Sequence, residues 1–316
     1  MPDSPKTSDI FPTTSPRSTQ PGGPGIVVVG DLVTDVVVVL DGGNLATGSD
    51  TAASITLTGG GQGANTAAWL ARSGRPVTLV AAVGDDPAGR ERVAELTSLG
   101  VRCAVRILPD TATGSVVVLA SPGERTMITD RGASLSLDPA HVTAAIIEAP
   151  GAAHVHLSGY PLLDPASRPA GLAALAAART RGSTTSVDAA SAVPLRRAGA
   201  FLDWVRVADL LLCNADEAGA LAGAGSTEDR GIALSSIVRN VVVKRGAAGA
   251  IWCAGGTLVA TAAGPPVPVV DPTGAGDAFA AGLLAAWCDG ADPADALVAG
   301  ASLGAEAVGR IGARPA

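Results

Sequence analysis

The stretch Val270-Asp271-Pro272-Thr273-Gly274-Ala275-Gly276-Asp277-Ala278-Phe279-Ala280-Ala281-Gly282-Leu283-Leu284-Ala285-Ala286-Trp287 decides how the chain is read. Val267, Val269 and Val270 predict the end of a strand, and the Ala/Leu-rich run Ala278 to Trp287 predicts a helix. The turn between them holds two glycines and no bulky side chain. It can bring successive backbone N–H groups to one point at a helix N-terminus, where unpaired donors and the helix dipole favour an anion such as phosphate. Asp277 would repel that anion unless it has a task there. Taking a proton from an attacking hydroxyl is one such task, and satisfying the helix dipole is the other reading.

Working outward, 316 residues suffice for one large α/β domain or two smaller ones. Apolar residues make up 47% but aromatics only 3%, with 40 glycines, which fits helices packed on a sheet through small side chains. The net charge of −7 and the lack of any Lys/Arg run argue against nucleic acid or an anionic membrane as partner. No apolar stretch reaches the roughly 18 residues of a membrane helix. Cys103, Cys213, Cys253 and Cys288 lie far apart with no CxxC, so they read as buried thiols of a cytoplasmic protein. With three histidines, His141, His154 and His156, a Ser/His/Asp hydrolase is a poor fit, and the histidines read as structural. Residues 1–24, rich in Ser, Thr and Pro, read as a disordered tail, leaving 25–316 as the folded domain.

The run Ile26 to Gly30 reads as a buried strand that delivers Asp31 and Asp35 at its carboxyl end, where open α/β sheets bind ligands. They are candidate substrate contacts, or turn caps. Ile55 to Thr58 then runs into Gly59-Gly60-Gly61-Gln62-Gly63-Ala64-Asn65. Such a glycine density suits a ligand lying against the backbone, with Asn65 offering donor and acceptor, although a flexible connection reads the same way. Short alternating runs at 101–108, 114–120 and 125–130 break the strand-helix rhythm. With 36–40 and 55–58 they predict a small, mostly antiparallel sheet, a lid formed by about 36–60 and 101–131. From Ala140 onward strands and helices alternate, predicting parallel βαβ units in a doubly wound sheet. Asn214-Ala215-Asp216-Glu217 follows a strand; its amide and carboxylate suit a hydrated Mg²⁺ or a helix capping box, and both can hold together.

Taken together these segments resemble the ribokinase-like, or PfkB, carbohydrate kinases. Gly60-Gly61-Gln62-Gly63-Ala64-Asn65 with Gly84-Asp85-Asp86 is similar to the family's N-terminal signature, and Asp271 to Phe279 to its C-terminal one. Asn214 to Glu217 is similar to its Asn-x-x-Glu motif, and Val241 to Gly249 to its nucleotide-binding strand and loop. The resemblance spans about residue 25 to the end. It implies a three-layer α/β/α doubly wound fold with a small β-sheet lid, and transfer of the ATP γ-phosphate to a sugar hydroxyl. By resemblance Asp277 is the base, and Gly274, Ala275 and Gly276 cradle the developing charge. Asp31, Asp35, Gly60, Gly61 and Asn65 contact the sugar; Lys244, Gly246, Gly249 and Asn214 line the nucleotide site. Asn214 and Glu217 hold Mg²⁺ through water, and Asp271, Thr273 and Gly312 are the candidate shell of a monovalent cation, K⁺. The ribokinase pattern has Asn where this chain has Val33 and Lys where it has Gln62, so ribose itself is not implied. A pentose, a hexose or a keto-sugar acid is expected as acceptor. A nucleoside kinase and a non-catalytic sugar-binding regulator are the alternatives, and pairing through the lid would give a homodimer.

Overall fold

The computed structural model describes residues 23–41, 45–121 and 124–315. The tail expected at 1–24 lies, except for its last two residues, outside the described residues. The chain begins with β1 (Gly25–Val29), passes through β2 (Val33–Leu40) and β3 (Ala53–Gly60), and enters α1 (Gln62–Arg72). β4 (Val77–Gly84), α2 (Pro87–Ser98), β5 (Arg102–Leu108), β6 (Ser115–Ser121) and β7 (Glu124–Asp130) follow. Next come α3 (Pro139–Glu148), β8 (Ala152–Ser158), α4 (Tyr160–Leu163), α5 (Arg168–Arg181), β9 (Thr184–Asp188), α6 (Ala192–Arg197), α7 (Phe201–Val205) and β10 (Leu210–Asn214). The chain continues through α8 (Ala215–Ala222), α9 (Thr227–Ser235), β11 (Asn240–Lys244), β12 (Ala250–Ala254), β13 (Thr257–Ala262), α10 (Ala275–Cys288) and α11 (Pro293–Val308).

Nine strands form one sheet in the order β13-β12-β11-β10-β9-β8-β1-β4-β5. It is parallel from β5 to β11 and closes with antiparallel β12 and β13. β1 and β4 are buried along their whole length, the signature of strands covered on both faces. Ile26 and Val28 point into a core shared with α1, α2, α10 and α11; Val27 and Val29 point into a second core under α3 and α5 to α9. These are the three layers that the family resemblance implies. The chain winds from β1 toward β5 on one side and from β8 toward β13 on the other. The winding direction therefore reverses between β1 and β8, where open α/β sheets leave a ligand crevice at the carboxyl ends of the strands.

The second sheet has four strands, β3-β2-β6-β7, with β2 and β6 parallel and the outer pairs antiparallel. Its inner face packs Val33 and Val37 against Val116 and Val118, so Val33 is lid core where a ribokinase places a polar amide. The strand at 102–108, expected in the lid, is instead the outer strand of the large sheet, parallel to β4; its alternating pattern suits either sheet, and pairing with β4 decides. The strand end expected at Val267 to Val270 does not form. Pro265, Pro266 and Pro268 remove backbone donors there, and Val270 N–H instead bonds Val308 O at the end of α11. Helix α9 escaped the sequence reading, although Ser226 and Asp229 form a capping box that marks its start.

Candidate active site

Five adjacent parallel strands end in polar side chains. After β1 comes Asp31; β8, β9, β10 and β11 end at Ser158, Asp188, Asn214 and Lys244. Ser158 pairs in register with Asp188, and Asn214 with Lys244. Helix α10 brings its first turn to the same edge. Gly274 is its N-cap at φ 75°, and a Cβ there would meet Ala313 O at 2.4 Å, so both the left-handed backbone and the close approach require glycine. The first-turn amides after it are those a helix leaves without internal acceptors. Lys244 Nζ stands 3.4 Å from where a Cβ of Gly276 would be, adding positive charge beside them.

Asp277 sits in that first turn and accepts a hydrogen bond at Oδ2 from Asn65 Nδ2, 2.9 Å. Its side chain keeps some exposed surface, yet protein atoms crowd it. Burial pushes its carboxyl from the usual 3.8 up to about 8; the Asn65 hydrogen bond and Lys244 pull it down, and Asp188 and Asp31 push it up. Asn65 is itself fixed. Arg314 Nε donates to its Oδ1 at 3.1 Å, which leaves Nδ2 to face Asp277. The same arginine donates from Nη2 to Gly60 O at 2.7 Å and pairs with Glu95.

Lys244 Nζ pairs with Asp188 Oδ2 at 2.6 Å, and Gln62 Nε2 donates to Asp188 Oδ1 at 2.9 Å. Ser158 Oγ donates to Gln62 Oε1 at 2.6 Å. The chain thus runs from β8 through the glycine loop to β9 and β11. Burial alone would lower the Lys244 ammonium, but Asp188 and Glu217 hold it charged above the ordinary lysine value. Asn214 and Glu217 form the capping box of α8: Asn214 Oδ1 accepts from Glu217 N–H, and Glu217 Oε2 accepts from Asn214 N–H. The cap reading therefore holds. Glu217 is 4% exposed, and burial, with repulsion from Asp188, pushes its carboxyl up to about 7. Carboxylates Asp188, Glu217 and Asp277 crowd a single ammonium, an excess of negative charge that suits a cation held largely through water. Among the described residues no cluster of three His, Cys, Asp or Glu side chains could ligate a metal directly.

Asp35, 7% exposed on the lid strand β2 rather than at the end of β1, faces the glycine loop so closely that a Cβ on Gly60 would lie 2.0 Å from its Oδ1. Burial raises its carboxyl to about 6, against the pull of Arg314. Asp31 is tied on both oxygens, by Gly63 N–H and Arg131, so it clamps loops where a free sugar contact was expected. Gly61 caps α1 between Asp35 and Asn65. Gly246 and Gly249 occupy the turn after Lys244. Asp271 Oδ1 accepts from Thr273 N–H and hydroxyl, and Oδ2 from Gly312 N–H, which brings the three cation-shell candidates together. His154 and His156 are fully buried and bond Ser186, while the four cysteines are free thiols.

Asp188, Gln62, Arg314 and Arg131 escaped the sequence reading as site residues. Asp188 carried a signal, a lone carboxylate at a strand's carboxyl end; the others act through contacts distant in sequence.

The profile described as pfkB family carbohydrate kinase matches residues 24–316. An ATP-dependent ribose-1-phosphate kinase of Halopiger xanaduensis is 33% identical over 297 residues, 92% of this chain and 94% of that one. Among solved structures, an adenosine kinase from Sinorhizobium meliloti superposes with a TM-score of 0.84 at 24% identity, covering 92% of this chain and 96% of that one. A ribokinase II from E. coli in complex with ATP and Mg²⁺ does so with 0.79 at 24% identity, covering 92% and 94%. A Gly274-capped helix presenting Asp277, a glycine loop facing it and a match across the whole described domain lead to one conclusion: the chain belongs to the pfkB family of carbohydrate kinases, phosphotransferases that act on sugar hydroxyls.

Proposed function

We propose that the protein uses ATP to phosphorylate a monosaccharide bound between the lid and the carboxyl edge of the large sheet, with Asp277 as the base. The observation that carries this is the Arg314–Asn65–Asp277 chain of hydrogen bonds, which aims one carboxylate into the crevice beside the open amides of α10. In the reaction the sugar oxygen forms a bond to the γ-phosphorus, and its proton passes to Asp277. The bond from that phosphorus to the bridging oxygen breaks, and its electron pair leaves with ADP. The amides of Gly276 and Asp277, with Lys244, meet the charge on the transferring group, while Ala275 N–H turns back to Pro272 O. A raised carboxyl pKa suits a base that must accept a proton near neutrality. Asp35, Gly60 and Gly61 contact sugar hydroxyls, and Lys244, Gly246, Gly249 and Asn214 line the nucleotide side.

The carboxylate excess around Lys244 fits Mg²⁺ held by Glu217 and Asn214 through water. Such an ion, bound with ATP, supplies neutralisation of the phosphate charge. Asp271, Thr273 and Gly312 are the proposed shell for K⁺. Ile55 and Leu57 on the lid strand β3 and Met127 and Ile128 on β7 are 49–67% exposed, which supports pairing of two copies through the lid, a dimer that size-exclusion chromatography would detect. Free thiols throughout fit a reducing cytoplasm.

A sugar is favoured over a nucleoside because the matching family is one of carbohydrate kinases and the relative 33% identical to this chain is named for a sugar phosphate acceptor. The intact Asp277 contact argues against an idle regulator. The test is ADP formation with ATP, Mg²⁺ and a panel of sugars and nucleosides. Acceptor-dependent ADP with sugars supports the reading, adenosine as best acceptor moves it to nucleosides, and no acceptor-dependent ADP overturns it.

A further inference from the structure

Gln62, the first residue of α1, stands where the ribokinase pattern has a lysine, and both ends of its amide are engaged. Ser158 Oγ donates to its Oε1 at 2.6 Å, which turns Nε2 toward Asp188 Oδ1, 2.9 Å away. The reverse orientation would set a carbonyl oxygen against a carboxylate. Asp188 Oδ1 also accepts from Ala190 N–H at 3.1 Å. At that contact Ala190 takes φ 73°, a left-handed backbone that alanine rarely adopts; among the described residues it alone does so without being glycine. With Oδ1 fixed by two donors, Oδ2 is left to Lys244 Nζ at 2.6 Å.

The start of α1 is tightly seated. A Cβ on Gly63 would lie 2.8 Å from Gly30 Cα, and one on Gly30 would lie 2.8 Å from Ser158 Cβ, so the helix begins in backbone contact with the end of β1 and beside β8. Asn65, three positions on and so on the same side of the helix, holds Asp277. One helical turn thus sets the base with one side chain and, through Asp188, the ammonium with another. Lys244 needs such a fixed partner, because Asp188, Glu217 and Asp277 all attract its charge. Were Asp188 free to turn, Lys244 could pair with Asp277 and neutralise the base.

Building on the proposed function, we propose that Gln62 is a positioning residue for phosphoryl transfer. Oriented by Ser158, it locks Asp188, and Asp188 holds the Lys244 ammonium beside the first turn of α10. Its contribution is to rate, and it does not depend on which acceptor is bound.

The test uses the full chain with ATP, Mg²⁺ and whichever of ribose, ribose 1-phosphate and adenosine the wild type turns over fastest. Gln62→Met, close in size but without the amide, is expected to lower kcat at least about tenfold, with the acceptor KM within about threefold of wild type. Lys244→Met is expected to lower kcat as well. In the Lys244→Met background, Gln62→Met should then cost less than about threefold further, because residues that act through one another are not additive. A raised acceptor KM with kcat unchanged in Gln62→Met would make Gln62 a sugar contact and overturn the inference. So would a full second loss in the double variant, which is what a purely structural role gives, or a normal kcat in Lys244→Met. If Gln62→Met does not fold, Ser158→Ala decides, since it frees the amide to turn. Its kcat should fall about threefold on its own and not in the Lys244→Met background, and an unchanged kcat overturns the inference. Each of these refutations leaves the kinase reading standing. A wild type that forms no acceptor-dependent ADP overturns that reading, and this inference with it.

Discussion

The substitution Asp277→Asn should kill the enzyme and make it more stable. Burial moves this carboxyl from 3.8 to about 8, so the folded protein holds a proton that the unfolded chain has released across that window. A group raised in this way costs stability progressively as pH climbs from 4 to 8. At pH 7 the gap is about three units, or about 4 kcal/mol at about 1.4 kcal/mol per unit. The side chain keeps exposed surface and solvent screens it, so about 1–2 kcal/mol is the expected gain on removing the charge. The introduced amide can still accept the Asn65 hydrogen bond through its own oxygen, so that contact is retained. Turnover should fall about 10²- to 10⁴-fold, the usual contribution of a positioned base, while ATP binding persists. The assays are coupled ADP release and thermal melts of both proteins from pH 5 to 9. The melting-temperature difference in favour of the variant should widen as pH rises. A variant that turns over within tenfold of wild type, or melts lower than wild type at pH 8, would refute the reasoning.

Three further outcomes follow from the same geometry. Gly274→Ala places a Cβ 2.4 Å from Ala313 O on a left-handed residue; it should cost about 1–3 kcal/mol in urea unfolding and raise KM for ATP, and an unchanged midpoint would count against the tight cap. Arg314→Met releases Asn65 to rotate, so kcat should drop at least about tenfold with KM for ATP nearly constant, and a normal kcat would show that Asn65 needs no such support. Glu217→Gln should weaken apparent Mg²⁺ affinity about tenfold in a titration of activity against metal.

What was legible in the sequence was local. Gly274 to Asp277 and Asn214 to Glu217 carry their geometry in their spacing, since a helix start fixes which amides and carboxylates face outward. Gly60, Gly61 and Asn65 were legible for the same reason. Arg314 and Asn65 are 249 positions apart, and nothing in either neighbourhood announces the other. Arg131 sits in an ordinary Asp-Arg-Gly turn, and its partners Asp31 and Tyr160 come just after two other strands. The lid was seen but its membership was not: 102–108 alternates as a lid strand would, and pairing with β4 rather than composition settles its place. The three prolines between 265 and 268 outweighed the valines that suggested a strand.

The grip of residues 313 and 314 on the glycine loop has a bearing on biosynthesis. Trp69 Nε1 bonds Ala313 O, and Arg314 holds Gly60 and Asn65, so ring closure spans nearly the whole domain. Such sequence-distant ties form late in folding. A nascent chain still lacking residue 314 would therefore leave Asn65 without the arginine that holds its amide toward Asp277.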